Sequence, residues 1–143
     1  MSTIFVYGTL RKEGHNHHIL TSFPDLQYLG QGITKDSFTM VALTSGSYPY
    51  VFPSPIQGYQ QVPIIGEVYL FPPNHLHQLD AFEYNYTRTT TTIQLNNANI
   101  QAYIYILANP KYIEDIETNK KQRFQPIPSG DWIAHRNNFR TSC

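Results

Sequence analysis

Short runs rich in Val, Ile, Thr and Tyr recur along the chain and are bounded by Pro, Gly, Asn or Ser. Such runs are typical of β-strands. They predict six strands, over residues 3–7, 37–43, 48–52, 64–71, 86–95 and 100–108. Residues 96–99, Asn-Asn-Ala-Asn, are a turn signal between the last two runs, so residues 86–108 are predicted to form a β-hairpin.

Three further segments are expected to contain helices. Residues 16–23 are predicted to form a helix with Asn16 as its N-cap and Pro24 beyond its end. Pro72-Pro73-Asn74 opens a second helix that runs to about residue 83, and residues 108–124 are expected to contain a short third one. With no repeat and no long linker, the chain is predicted to be one α+β domain over residues 1–143, whose sheet curls into a small barrel flanked by two to four short helices.

The second helix carries a carboxylate on its apolar face. Glu83 lies seven residues after Leu76 and four after Leu79, so all three share one face. Glu83 also falls at the helix C-terminus, where the last carbonyl groups repel a negative charge. Burial and the helix dipole both raise the pKa of a carboxyl group, toward the range useful for proton transfer at neutral pH. Glu83 is therefore the first candidate for acid/base chemistry.

A structural interpretation of the same residues stays open. The Glu83 carboxylate could lie in water or pair with Arg88, because glutamates are common at helix ends. Asp80 sits at the edge of the same face and is expected to make a local structural hydrogen bond.

A glycine ends the first predicted strand. Gly8 follows Phe5-Val6-Tyr7 and precedes Thr9-Leu10. A glycine there can take a positive φ, and successive N–H groups can then converge on an anion. A substrate carboxylate or a developing oxyanion could bind at this loop, with the Thr9 hydroxyl beside it. An ordinary turn is the alternative.

The histidines do not have the spacing of a metal site. His17 and His18 are adjacent and cannot share a helical face, and His75 and His77 diverge by about 200° on a helix. We expect surface or capping roles for these histidines and for His15. We expect no metal and no cofactor. No serine stands in a Gly-x-Ser-x-Gly turn, and Cys143 is terminal, so an acyl-enzyme nucleophile is not indicated.

Composition restricts the classes of partner. Ten basic and ten acidic side chains give no net charge, which disfavours nucleic acid, because phosphate neutralisation supplies much of that affinity. No apolar run approaches the roughly 18 residues of a membrane span, and the N-terminus lacks a secretory signal pattern. A single cysteine excludes an internal disulfide, so a reducing, cytoplasmic compartment is expected.

Five segments together resemble the γ-glutamylcyclotransferase-like superfamily, most closely its AIG2-like branch, which includes γ-glutamylamine cyclotransferases. In family order they are Phe5-Val6-Tyr7-Gly8-Thr9-Leu10-Arg11, Gly46-Ser47-Tyr48-Pro49-Tyr50-Val51, Gly66-Glu67-Val68-Tyr69, Leu79-Asp80-Ala81-Phe82-Glu83-Tyr84-Asn85-Tyr86-Thr87-Arg88 and Ser129-Gly130-Asp131-Trp132. This chain has Ser47 and Tyr84 at two positions where the family frequently carries glycine.

The resemblance implies a compact mixed β-barrel with a cavity at one side. It implies conversion of a small γ-glutamyl amide into 5-oxoproline and a free amine, by attack of the substrate's own α-amine. Tyr7, Gly8, Thr9 and Leu10 would hold the glutamyl group, and Glu83 would be the general acid/base. The identity of the leaving amine stays open. The alternative function is a non-catalytic module that binds γ-glutamyl or amine conjugates.

Overall fold

The computed structural model describes residues 1–43, 48–119 and 124–141. Seven strands and four α-helices lie within these ranges, with a 3₁₀ turn at Pro73–His75 before the second helix. The strands are β1 Ser2–Val6, β2 Gln27–Leu43, β3 Pro49–Phe52, β4 Val62–Phe71, β5 Thr87–Leu95, β6 Ala98–Ile106 and β7 Phe124–Pro126. The helices are α1 His17–Thr21, α2 Leu76–Phe82, α3 Pro110–Asn119 and α4 Trp132–Thr141.

Five strands close into a barrel in the order β2-β4-β1-β6-β5, and β5 returns to β2 through the pair Ile33 and Gln94. The β1 and β6 strands are parallel, with Ile4 opposite Tyr103, and the other pairings are antiparallel. The long β2 strand extends beyond the barrel, where β3 and β7 pair with it. The predicted α+β fold with a small mixed barrel is confirmed.

Apolar side chains fill the barrel and also pack between its outer surface and helices α1 and α2. The interior cluster includes Phe5, Ile64 and Trp132. A second cluster lies between the barrel and helices α1 and α2, where Leu20, Leu76 and Leu79 meet β1. Because alternate residues of a strand point to opposite faces, β1 supplies Phe5 to the interior and Ile4 to the helices. This second cluster holds α2 beside the end of β1.

The predicted hairpin is confirmed, with a tighter turn than expected. Strands β5 and β6 pair along their full length, with Leu95 opposite Ala98. Only Asn96 and Asn97 form the loop, and Asn96 adopts a φ of 56°, which asparagine tolerates better than most residues. The short helix expected within residues 108–124 is also present, as α3.

Several predicted boundaries were wrong. Helix α1 is shorter than residues 16–23, and Asn16 makes no side-chain cap. Strand β2 begins at Gln27 and not at residue 37, and β7 and α4 were not predicted. Gly32 explains part of the missed strand, because a Cβ there would lie 2.6 Å from Cγ2 of Ile93. The residue that lowers β-propensity is therefore the one that lets β2 approach β5 and close the barrel.

None of the helices in the described ranges combines the length and the apolar character needed to cross a membrane.

Candidate active site

Glu83 ends helix α2 and begins the turn into β5. Its backbone N–H donates to the Leu79 carbonyl at 2.9 Å, and its carbonyl accepts from the Tyr86 N–H at 2.8 Å. Leu76 and Leu79 are 9% and 0% exposed, as predicted for the apolar face of this helix. Burial of these two leucines fixes the direction of α2 and brings Glu83 to the rim of the barrel beside the end of β1.

Glu83 lines a cavity of about 290 Å³. Two segments form most of its wall, residues 7–10 after β1 and residues 82–86 at the end of α2. The rest is formed by Phe5, Val6, Asn16, Tyr48, Pro49 and Tyr105. The five residues singled out from the sequence, Tyr7, Gly8, Thr9, Leu10 and Glu83, therefore line the same cavity. The volume lies near the lower end of the roughly 300–1,000 Å³ typical of ligand pockets, so the site suits a small ligand.

Desolvation raises the pKa of Glu83 to about 7. The side chain stays partly accessible through the mouth of the cavity, but the protein around it excludes most bulk water. Tyr7, Tyr86 and Tyr105 are close enough for the Glu83 charge to contribute to their own raised pKa values, after the larger effect of burial. A carboxyl group with a pKa near neutrality can both accept and return a proton at physiological pH.

The alternative pairing of Glu83 with Arg88 is wrong. Arg88 Nε lies 3.2 Å from Asp80 Oδ1, and the same oxygen accepts the Tyr105 hydroxyl at 2.6 Å. Asp80 therefore makes a structural hydrogen bond, but the prediction that this bond is local is wrong, because the donor Tyr105 belongs to β6. Within the part of the chain that the structure describes, no ion pair neutralises Glu83.

Gly8 does not adopt the positive φ expected from the sequence. A Cβ at this position would instead lie 3.1 Å from Cδ and Cγ of Pro49, so the glycine permits close approach of β3. The chain turns here, with the Arg11 N–H donating to the Gly8 carbonyl at 3.1 Å. In the described ranges, the N–H groups of Gly8, Thr9 and Leu10 donate to no protein acceptor. These three donors therefore have no protein partner in the described chain, although Gly8 lacks the predicted positive φ.

Two side chains from the start of α1 fix this loop. Asn16 Nδ2 donates to Thr9 Oγ1 at 3.1 Å, and its backbone N–H donates to the Thr9 carbonyl at 2.9 Å. His17 Nδ1 lies 2.8 Å from the Leu10 carbonyl. Asn16, predicted as a helix cap, instead fixes Thr9 in the wall of the cavity. The sequence spacing of Thr9 and Asn16 does not indicate this contact.

A buried ionic network anchors the other end of the loop, and no role was predicted for its members. Arg11 is 5% exposed, with Nε 3.3 Å from Glu67 Oε2 and Nη1 2.8 Å from Asp131 Oδ1. Glu67 Oε1 also accepts the Lys12 N–H and the Tyr69 hydroxyl, both at 2.9 Å. The only sequence signal was that Arg11, Glu67 and Asp131 each fall within a segment of the family resemblance.

The histidines stay apart in the structure. His17 contacts the cavity loop, and His75 Nδ1 lies 2.8 Å from Gln78 Oε1. Among the residues that are described, no three His, Cys, Asp or Glu side chains converge as metal ligands would. Gly46, Ser47 and Cys143, which entered the sequence analysis, lie outside the described residues.

A sequence model described as "Gamma-glutamyl cyclotransferase, AIG2-like" matches residues 4–134, most of the chain. The chain belongs to this family. Family membership confirms the resemblance found from the five segments.

Three relatives illustrate the family's range. The chain is 33% identical to γ-glutamylaminecyclotransferase A of Danio rerio over 110 residues, 71% of this chain and 66% of that protein. An AIG2-like protein of Mus musculus superposes with a TM-score of 0.66 and 28% identity, over 79% of this chain and 82% of the other. YkqA of Bacillus subtilis superposes with a TM-score of 0.67 and 29% identity, over 98% of this chain but 42% of YkqA.

Proposed function

We propose that the protein is a γ-glutamyl cyclotransferase that converts a γ-glutamyl amide into 5-oxoproline and a free amine, with Glu83 as the general acid/base. The observation that carries the proposal is the Glu83 carboxyl group in the cavity, with its pKa raised to about 7 and no cation paired with it in the described residues. The name of the Danio rerio relative supports the same class of reaction.

The raised pKa matches the proton that has to be moved. An α-ammonium group has an ordinary pKa of about 8, so transferring its proton to a carboxylate of pKa about 7 costs about 1.4 kcal/mol. The same transfer to an ordinary glutamate, of pKa about 4.3, costs about 5 kcal/mol. Desolvation of Glu83 therefore lowers the energy of deprotonating the substrate amine by about 3.5 kcal/mol.

In the proposed reaction, Glu83 takes a proton from the substrate's α-ammonium group, and the amine attacks the γ-carbonyl carbon. A new C–N bond closes the five-membered ring, and the carbonyl oxygen becomes an oxyanion. Glu83 then returns its proton to the departing nitrogen as the old γ-carbon–nitrogen bond breaks and the carbonyl reforms. The ring nitrogen still carries two protons and gives one of them to the Glu83 carboxylate. Glu83 passes this proton to the released amine, which leaves as an ammonium ion, and the carboxylate is restored. Because nucleophile and electrophile belong to one molecule, the protein requires no covalent intermediate and acts by holding them together.

The loop at residues 7–10 is the proposed holder of the glutamyl group. Gly8, Thr9 and Leu10 line the same cavity as Glu83, and their N–H groups lack protein acceptors in the described chain. A carboxylate or an oxyanion suits such donors. Tyr7 fixes the start of the loop, because its hydroxyl donates to the Tyr105 carbonyl at 2.6 Å.

The test is incubation with a panel of γ-glutamyl amides and chromatographic measurement of 5-oxoproline. We expect enzyme-dependent 5-oxoproline together with one equivalent of the amine from at least one amide. Calorimetric binding of the amides without any 5-oxoproline would reject the enzyme and favour the non-catalytic binding module.

A further inference from the structure

Three large aromatic side chains are exposed at the mouth of the cavity. Tyr48, Phe82 and Tyr84 all line it and are 41%, 37% and 80% exposed, respectively. They are three of the six large apolar or aromatic residues that are exposed in the described chain, so half of that exposed set meets at one opening. Exposed aromatic residues concentrated at a cavity indicate a contact surface, whereas scattered ones need no explanation.

These side chains, here called the aromatic rim, are placed by the same elements as Glu83. Phe82 is the last residue of α2 and Tyr84 the first after Glu83, so the two flank the acid along the chain. Tyr48 stacks edge-on against Tyr50, with ring centroids 5.3 Å apart and an interplanar angle of 86°, and accepts the Tyr50 hydroxyl at 3.2 Å. The rim therefore includes a ring that is oriented before any ligand binds, which reduces the entropy cost of contact.

The charges around the cavity are one-sided. Among the described residues, no Lys, Arg or His lines the cavity, and Glu83 is the only lining group with a charge near neutral pH. Two nearby arginines are already paired, Arg11 with Glu67 and Asp131, and Arg88 with Asp80. A carboxylate on the amine part of a substrate would meet the Glu83 charge with no cation to balance it.

Under the proposed function, the two ends of the substrate occupy different parts of the cavity. The glutamyl group meets the buried loop at residues 7–10, where Tyr7 and Leu10 are 8% and 4% exposed, and the scissile bond lies at Glu83. The substituent on the departing nitrogen then extends past Glu83 toward the exposed rim. The cavity is small enough that this substituent has to contact the rim.

We propose that the rim formed by Tyr48, Phe82 and Tyr84 binds the amine side of the substrate and selects γ-glutamyl amides whose amine carries an aromatic ring and no carboxylate. This inference rests on the proposed function. Aromatic rings gain energy from contact with one another beyond the area they bury, and the absence of a lining cation among the described residues disfavours amino-acid conjugates. Tyr84, which stands where glycine is frequent in the family, supplies the most exposed ring.

Three amides of graded chemistry test the inference. The γ-glutamyl amides of 2-phenylethylamine and ethylamine differ in the ring, and γ-glutamylphenylalanine adds a carboxylate to the first. We expect kcat/KM for the phenylethylamide to exceed that for the ethylamide by about 10-fold, and that for γ-glutamylphenylalanine to fall at least about 10-fold below the phenylethylamide.

Tyr84→Ser should lower the ratio of kcat/KM between phenylethylamide and ethylamide toward 1, by about 5-fold or more. Tyr28→Ser is the matched control, because Tyr28 is an exposed tyrosine, at 45%, that does not line the cavity. It should keep the wild-type ratio. Three results would overturn the inference: a wild-type ratio near 1, an equal ratio in Tyr84→Ser and wild type, or a preference for γ-glutamylphenylalanine. In each case, release of 5-oxoproline would still support the proposed function.

Calorimetry separates the two proposals if no amide yields 5-oxoproline. Tighter binding of the phenylethylamide than of the ethylamide, lost in Tyr84→Ser but kept in Tyr28→Ser, would support the rim although the enzyme proposal had failed. Equal binding of the two amides, without 5-oxoproline, would reject both the proposed enzyme and the aromatic rim as a binding surface.

Discussion

Replacing Glu83 with glutamine should stabilise the protein more at pH 8 than at pH 5. Glutamine keeps the shape of the side chain and removes its titration. In the native state the pKa of Glu83 is raised to about 7 because burial disfavours the ionised form. In the unfolded chain the carboxyl group returns to its usual value of about 4.3. Between these two values the native state binds more protons than the unfolded state, so the free energy of unfolding falls as pH rises.

The magnitude follows from that window. From pH 5 to the folded pKa of about 7, two pH units at about 1.36 kcal/mol each make the wild type less stable by roughly 2.5 kcal/mol, and above pH 7 the loss stops growing. Below about pH 4 both states are protonated and the effect vanishes. The free energy of unfolding of Glu83→Gln, relative to that of wild type, should therefore rise by about 2.5 kcal/mol between pH 5 and pH 8.

Urea unfolding at the two pH values measures this difference. Glu117→Gln is the matched control, because Glu117 is exposed on helix α3 and reports what the same substitution does in water. For each variant, the free energy of unfolding relative to wild type is compared between pH 5 and pH 8. The difference between the two variants gives the contribution of the buried carboxyl group. If the free energy of unfolding of Glu83→Gln relative to wild type stays constant from pH 5 to pH 8, the reasoning is refuted. If it falls, the fold stabilises the Glu83 carboxylate.

Four further outcomes are expected. Gly8→Ala should lower kcat/KM and cost about 1–3 kcal/mol of stability, because the new methyl group would lie 3.1 Å from two Pro49 carbons; unchanged values by kinetics and urea unfolding would count against this packing. Arg11→Met should destabilise by about 3–5 kcal/mol, because Glu67 is left buried and unpaired, and Arg11→Met/Glu67→Gln should recover part of that loss in the same assay. The kcat/KM should fall as pH drops below about 7, where Glu83 becomes protonated, and a profile flat down to pH 5 would remove Glu83 as the base. EDTA should leave turnover unchanged, and loss of activity restored by a divalent ion would overturn the metal-free mechanism.

Local patterns sufficed for six of the seven described strands, apart from the first part of β2, and for the position of Glu83 in the cavity. Glu83 could be found because the spacing of Leu76, Leu79 and Glu83 is short and periodic, and the structure keeps those leucines buried. The hairpin of β5 and β6 followed from its asparagine turn in the same way. In each case the information lies within about ten residues of the chain.

Features that depend on distant segments were missed. The Arg11 network joins residues 56 and 120 positions apart, and a lone arginine in a turn gives no sign of it. Gly8 was assigned a positive φ because its contact with Pro49, a residue of another strand, is not visible in the local sequence. The predicted strand over residues 37–43 leaves out the part of β2 that holds Gly32, although this glycine is required where β5 approaches β2 closely. Tertiary packing overrode local propensity at these positions.

The central claim is that Glu83 moves the proton in a cyclisation reaction. The most direct test is 5-oxoproline release at pH 7.5 from the γ-glutamyl amide that wild type converts best, by Glu83→Gln and by Asp80→Asn as control. Asp80 is the neighbouring carboxylate; it is paired with Arg88 and Tyr105 and does not itself line the cavity. We predict a loss of about 10²- to 10⁴-fold in Glu83→Gln with substrate binding retained by calorimetry, and most of the wild-type rate in Asp80→Asn. A near-normal rate in Glu83→Gln, or an equal loss in both variants, would contradict the claim.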